Sequence, residues 1–206
     1  MDTVAGIVLA GGRSSRMGRP KAALEWHGST LLFRTAAVLG EVVTGPVVVV
    51  RAPGQDLPDL PPGVEPVDDP VEGHGPMQGI AAGMAAVRDR ADAAFACSTD
   101  LPFLHPAFVR RVLRELADPE VDLVLPVVGG FRQPLAAGYR TGLVPLIEAQ
   151  LAAGNRRLGS LADLCRASFL DEAALLADPE LARHDPDLES VRNINTEQEY
   201  EDARRR

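Results

Sequence analysis

The chain has 206 residues, 46% of them apolar and 24% charged, with a formal net charge of -8 and a pI near 5.0. That length and balance fit one globular domain over 1–206 with a sizeable core, and leave no room for a second catalytic domain. Aromatic residues are only 4% and the charge is acidic, which argues against a nucleic-acid surface, and no apolar run has membrane-spanning length.

The N-terminus runs straight into an apolar segment and lacks a signal-type leader, so a cytoplasmic location is expected. Cys97 and Cys165 stand far apart, with no Cys-x-x-Cys and no histidine cluster, so neither a zinc site nor a disulfide framework is suggested.

Val4 to Leu9 read as a short buried strand, mostly small or β-branched and too short for a stable helix. Ala10, Gly11 and Gly12 follow. Adjacent glycines take backbone angles closed to other residues and let phosphates approach peptide N–H groups, so Gly11 and Gly12 outline a phosphate cradle. Arg13, Arg16, Arg19 and Lys21 then carry positive charge with no acidic residue among them. A polyanion gains charge-assisted hydrogen bonds there; the plainer alternative is a solvated basic loop. The spacing excludes a P-loop, since Gly18 is followed by Arg19-Pro20, and a dinucleotide fingerprint, since Gly-x-Gly is absent.

Ala22 to Leu24 read as extended, Trp26-His27-Gly28 as a turn, and Leu31 to Leu39 as a helix capped by Ser29 or Thr30 and closed by Gly40. His27 reads as an exposed turn residue without a role. Val47 to Val50 have the character of a strand covered on both faces, and a short strand fits Val64 to Val67. After Asp69, the segment Gly73-His74-Gly75-Pro76-Met77-Gln78-Gly79 is a second glycine-rich loop opening a helix to about Arg88, a setting that attracts anions or hydrogen-bonds a base or ribose. A plain loop is an equal reading of it.

Ala93 to Cys97 form another strand, followed by Ser98-Thr99-Asp100-Leu101-Pro102. A carboxylate just past a buried strand stands where open α/β sheets hold ligands, although an aspartate before a proline also makes a turn. Magnesium needs only one or two such carboxylates beside substrate phosphates, so Asp100 is the metal-ligand candidate. Pro106 to Leu116 read as a helix, Leu123 to Val128 as a strand, Gly129-Gly130 as a tight turn and Arg132 to Tyr139 as the return strand of a hairpin. Leu143 to Ala153 read as a helix and Asn155 to Leu164 as a turn into a shorter one. Arg156 and Arg157 suit either an acceptor phosphate or plain surface. Asp171 to Glu189 suggest no more than a short helix and a long loop. Asn193 and Asn195 flank Ile194 and point to one side of an extended segment, and Thr196 with Glu199 is a capping box for the last helix. The alternation of elements implies a three-layer α/β/α, Rossmann-like domain with a mainly parallel, mixed sheet.

Five segments in order, LAGG with Arg-Met-Gly and Pro-Lys, Asp69 with GPMQGI, Asp100-Leu-Pro, QPLAAGY and Asn193-Ile-Asn-Thr, resemble the molybdenum cofactor guanylyltransferase family within the nucleotide-diphospho-sugar transferase superfamily. The resemblance implies a nucleotidyltransferase fold and transfer of GMP from GTP to the phosphate of molybdopterin, with Mg2+ as cofactor and docking to molybdenum cofactor-handling proteins. Acceptors such as a sugar phosphate or phospholactate, a cytidylyl donor, or a nucleotide-binding regulator are the alternatives; Gly11 favours guanine by resemblance. It further implies Lys21, Arg16 and Asp100 as catalytic, Asp100 as metal-binding, and Leu9, Ala10, Gly11, Gly12, Arg13, Lys21, Asp69, Gly75, Pro76, Gly79, Asp100, Asn193 and Asn195 as contacts to nucleotide or metal. Arg132 and Gln133 fall on the acceptor side. Met77, Gln78, Ser98 and Thr99 depart from the family pattern, as does Arg51-Ala52-Pro53, where the family tends to place an asparagine.

Overall fold

The computed structural model describes residues 3–11, 20–71 and 73–205. In chain order the elements are β1 (Val4–Leu9), the small strands β2 (Glu25–Trp26) and β3 (Ser29–Thr30), α1 (Leu31–Gly40), β4 (Val47–Arg51), β5 (Val64–Asp68), α2 (Pro76–Val87), β6 (Ala93–Ser98) and α3 (Pro106–Leu116). There follow β7 (Leu123–Val128), β8 (Phe131–Arg132), β9 (Ala136–Arg140), α4 (Val144–Ala152), β10 (Ala167–Leu170), α5 (Glu172–Leu176), α6 (Pro179–His184) and α7 (Glu197–Arg204).

One eight-stranded sheet runs β10-β7-β9-β6-β1-β4-β5, with β8 pairing β7 off that path. Within this sheet, among the described residues, β8 and β9 run antiparallel to their neighbours and the other pairs are parallel. The chain goes outward from β1 through β4 to β5, then crosses back to β6 on the other side of β1. The strand order therefore reverses at β1. In open α/β sheets this reversal opens a crevice at the carboxyl edge, and it is where ligands bind.

Period-two alternation divides the core into two layers. Val8, Phe95, Cys97 and Val49 face α1 and α3, with Leu32, Phe108 and Val112 packed on them. Ala5, Ile7, Val48, Val50 and Ala96 face the opposite way onto Met77, Ile80 and Met84 of α2 and Ile147 of α4. The approach of α2 to β1 depends on missing side chains: a Cβ at Gly83 falls 2.6 Å from Ile7 Cγ2, and one at Gly79 falls 3.2 Å from Leu9 Cδ2. Gly83→Val should therefore cost about 2–3 kcal/mol by overpacking a stiff β-branched neighbour. Urea unfolding checks this.

A third, smaller cluster ties the ends of the chain together. Leu24, Trp26 and Leu31 pack with Ile194, Tyr200 and Ala203, and Phe103 borders them. The Tyr200 hydroxyl donates to the carbonyl of Glu25, and the capping box at Thr196 and Glu199 forms as expected.

Four readings change. Lys21–Ala23 is a 3-10 turn and not an extended stretch, because Pro20 presets its entry and Leu24 N–H closes on the carbonyl of Lys21 at 3.1 Å. The return strand is interrupted: Phe131–Arg132 and then β9 both pair antiparallel with β7, but Pro134-Leu135 breaks the ladder between them, and β9 also takes β6 as its other neighbour. Pro134 has no N–H with which to continue the pairing. The turn after Arg157 leads into a 3-10 helix (Leu158–Asp163), and β10 is an unforeseen edge strand parallel to β7. In the acidic segment Asp171 and Asp178 cap α5 and α6. Among the described residues no helix is long and apolar enough to cross a membrane.

Helix α3 carries a titratable cap. His105 Nδ1 accepts from Ala107 N–H at 3.1 Å, and the ring stacks on His184 at 5.2 Å between centroids. Burial, and next the neighbouring His184, hold His105 below its ordinary 6.5; Asp185 opposes this, while Arg110 and Arg34 add to it. Because the unfolded chain takes up this proton first, the contribution to stability is complete above about pH 6.5 and is lost as pH falls towards the folded-state value. Urea midpoints at pH 7 and pH 5 should therefore differ more in the native protein than in His105→Asn, whose amide caps without titrating.

Candidate active site

The carboxyl edges of β1 and β6 meet in register, Leu9 opposite Ser98, and Thr99 N–H donates to the carbonyl of Leu9 at 3.3 Å. The loop that starts at Ala10 and the loop bearing Asp100 thus leave the sheet side by side. Leu101 and Leu104 are buried in the core beneath, which fixes the Asp100 loop from below.

Above that edge three segments distant in sequence converge on one amine. Lys21 Nζ donates to Asp100 Oδ2 at 2.9 Å and to Asn195 Oδ1 at 3.0 Å. The Ser98 hydroxyl donates to Asp100 Oδ1. The Lys21 and Asp100 side chains are 22% and 20% exposed, so the pair is screened yet open to a ligand from above. Asn195 is held in turn: its N–H donates to Glu199 Oε2 at 2.6 Å, and Ile194 N–H to the carbonyl of Asp100 at 3.0 Å. The backbone donors Asn195 and Thr196 keep the Glu199 carboxyl below its usual range, so the cap stays ionised at neutral pH. Asn193 lies on the same exposed side as Asn195, and its amide has no partner among the described residues.

The nucleotide-loop readings divide. Gly12, Arg13 and Arg16 lie outside the described residues. Leu9 is buried and packs against Gly79, so both serve the contact between helix and sheet. The Ala10 N–H is not available to a phosphate, because it donates to the carbonyl of Val50 at 2.8 Å. Gly11 is exposed and is the first described residue beyond the ladder. Asp69 stands two strands away, past β5, where its Oδ1 accepts from Val71 N–H at 3.0 Å in a local turn. Gly75, at φ +80, turns the chain into α2 and Pro76 occupies its first turn, so the free N–H groups of that helix open at the same sheet edge.

Other polar groups frame the edge. Arg156 Nη2 meets His74 Nε2 at 3.2 Å, linking the loop after α4 to the second glycine-rich loop. Arg132 lies 4.7 Å over the Phe169 ring and donates to the carbonyl of Gly159 at 3.3 Å, while Gln133 bonds the carbonyl of Phe131. Arg132 thus ties the hairpin to β10 and to the 3-10 helix after Arg157, while Gln133 bonds within the hairpin. Sequence reasoning missed Ser98, whose only signal is a hydroxyl two residues before Asp100. A groove of about 440 Å³ lined by Gly40, Pro46, Pro61 and Val64 lies at the amino ends of β4 and β5, away from this chemistry.

Comparison with known proteins places the chain in a family. Residues 6–169 match the family described as the MobA-like NTP transferase domain. A protein of Mycobacterium tuberculosis strain H37Rv named probable molybdenum cofactor guanylyltransferase is 39% identical over 167 residues, covering 79% of this chain and 81% of its own. The crystal structure of molybdopterin-guanine dinucleotide biosynthesis protein A from Archaeoglobus fulgidus superposes with a TM-score of 0.75 at 20% identity, over 98% of this chain and 97% of that one. A manganese complex of Rv0371C from M. tuberculosis superposes at 0.57 and 18% identity, over 82% of this chain and 89% of that one.

Proposed function

Because the chain belongs to the MobA-like NTP transferase family, and so to the nucleotidyltransferases, we propose that it transfers GMP from GTP to the phosphate of molybdopterin or its molybdenum form, releasing pyrophosphate. The observation that supports this most is the convergence of Lys21, Asp100 and Asn195 where the strand order reverses, beside the loop that begins at Gly11. In this reading the whole chain acts as one cytoplasmic nucleotidyltransferase domain, which the guanylyltransferase names of its relatives favour.

The acceptor phosphate oxygen attacks the α-phosphorus, the bond from that phosphorus to the pyrophosphate oxygen breaks, and the electron pair leaves with pyrophosphate. The acceptor is already anionic at neutral pH, so no protein nucleophile or general base is needed. What remains for the protein is alignment and neutralisation of the charge gathering on the leaving group. Lys21 supplies one fixed positive charge. Arg16 and the N–H groups from Gly11 to Arg13 supply the rest of the cradle, Gly75 and Pro76 present the start of α2 to base or ribose, and Asn193 and Asn195 close the site over the nucleotide.

The donor set suits magnesium. Among the described residues no group of three or more histidine, cysteine, aspartate or glutamate side chains could cage a metal, whereas Asp100 offers one partly exposed carboxylate. That is the arrangement for an ion that arrives with phosphate and keeps its water, and when bound it adds positive charge to the triphosphate. The test is pyrophosphate release from GTP, CTP, ATP and UTP with magnesium, with and without molybdopterin. Release with GTP only in the presence of the pterin is expected. Release that needs a sugar phosphate or phospholactate instead would redirect the acceptor.

A further inference from the structure

The β1–β4 ladder ends in an unusual way. Ala10 N–H donates to the carbonyl of Val50, so in a continuing parallel ladder the next bond would run from Ala52 N–H to the carbonyl of Ala10. That bond is replaced. Gln55 Oε1 accepts from Ala52 N–H at 3.0 Å, and Gln55 Nε2 donates to the carbonyl of Ala10 at 3.1 Å. One side-chain amide is spliced into the ladder between the two strands.

The splice is built by its own loop. Pro53 and Gly54 at φ +70 make the turn, Gln55 N–H closes it on the carbonyl of Ala52 at 3.0 Å, and Arg51 Nη1 clamps the carbonyl of Gln55 at 3.1 Å. Arg51 is itself anchored to Asp68 at 2.7 Å. The amide satisfies two backbone groups that would otherwise be orphaned where the strands part, and it holds them an amide's width further apart than direct pairing would. Gly11 follows directly and lies beside Ala52: a Cβ on it would stand 3.4 Å from Ala52 N.

We propose that Gln55 is a positioning residue for the nucleotide: it sets the spacing between the loop after β1 and the loop after β4, and thereby the presentation of Gly11 to the donor triphosphate. This rests on the nucleotidyltransferase reading above. Both the oxygen and the nitrogen of the Gln55 amide bond backbone groups, so its role is exerted through Ala10 and Gly11.

The test compares the full-length protein with Gln55→Met, which keeps the length and loses both bonds, and Gln55→Glu, which keeps the acceptor for Ala52 N–H and loses the donor to Ala10. Amide hydrogen exchange at Ala52 is followed in the nucleotide-free protein, and steady-state KM is measured for GTP and for the pterin acceptor. The expected result is an Ala52 amide protected in the native protein and in Gln55→Glu but not in Gln55→Met. The KM for GTP should rise about tenfold or more in Gln55→Met, with the acceptor KM and the thermal midpoint little changed. A fall in thermal midpoint with both KM values moving together would reduce Gln55 to a structural role. An unprotected Ala52 in the native protein, or protection lost with an unchanged KM for GTP, would overturn the proposal. Failure of the native protein to bind any nucleoside triphosphate, seen by calorimetry, would instead overturn the nucleotide reading and the positioning role with it.

Discussion

Lys21→Ala is expected to lower kcat/KM for nucleotidyl transfer by about 10²–10³, on the order of 2–4 kcal/mol of transition-state stabilisation. Lys21 is placed by a 3-10 turn after Pro20 and held from two sides by Asp100 and Asn195, so its amine stands as a preorganised donor that need not be recruited during the reaction. The loss should not come from unfolding. The Lys21–Asp100 pair is partly exposed, and such pairs contribute about 0–1 kcal/mol, so the urea midpoint should barely move. Lys21→Arg should recover only part of the rate, because a planar guanidinium cannot meet Asp100 and Asn195 with the geometry of a compact ammonium. Turnover of Lys21→Ala within a few-fold of native would remove Lys21 from the mechanism.

Asp100→Asn is the sharper of the two. The amide keeps the size of the side chain and an oxygen to accept from Lys21 or Ser98, and removes only the negative charge. Two opposite consequences follow. Magnesium-dependent turnover should fall by about 10² or more, since the site loses its hard anionic ligand. Metal-free GTP binding should stay level or tighten, because Lys21 loses its counter-charge and turns its full charge to the phosphates. Isothermal titration with and without magnesium, beside initial rates, separates the two effects. Equal weakening in both conditions would mean that Asp100 supports the fold and holds no metal.

Much of this site was legible in the chain before its structure, for identifiable physical reasons. Buried parallel strands betray themselves as short apolar runs, so β1, β4 and β6 could be placed, and the residues at their carboxyl ends followed. Glycine pairs and an aspartate before a proline mark where such strands let go of the sheet. The position of β9 was legible in part: QPLAAGY reads as the return of a hairpin on β7, which β9 is, while nothing in it signals the break at Pro134 or the second pairing with β6. β10 is four residues long, and the exposed Phe169 on it breaks the expected pattern. The Lys21–Asn195 contact spans 174 positions and depends on the small cluster of Trp26, Ile194 and Tyr200, whose members carry no motif. The splice at Gln55 is invisible to any pattern of hydrophobicity, because it concerns which backbone group a side chain satisfies. Ala10 shows the same limit: glycine-loop reasoning offers its N–H to phosphate, while the ladder had already claimed it.

The most direct test of nucleotidyl transfer here is to follow label from GTP carrying radioactive phosphorus at the α or at the γ position, with magnesium and molybdopterin, and to weigh the pterin product by mass spectrometry. Label from the α position should enter the pterin, whose mass should rise by one guanylyl group, while γ label should leave entirely as pyrophosphate. Entry of γ label into the pterin, or its release as orthophosphate with no α label transferred, would contradict nucleotidyl transfer and assign the Lys21–Asp100 site to a different phosphate chemistry.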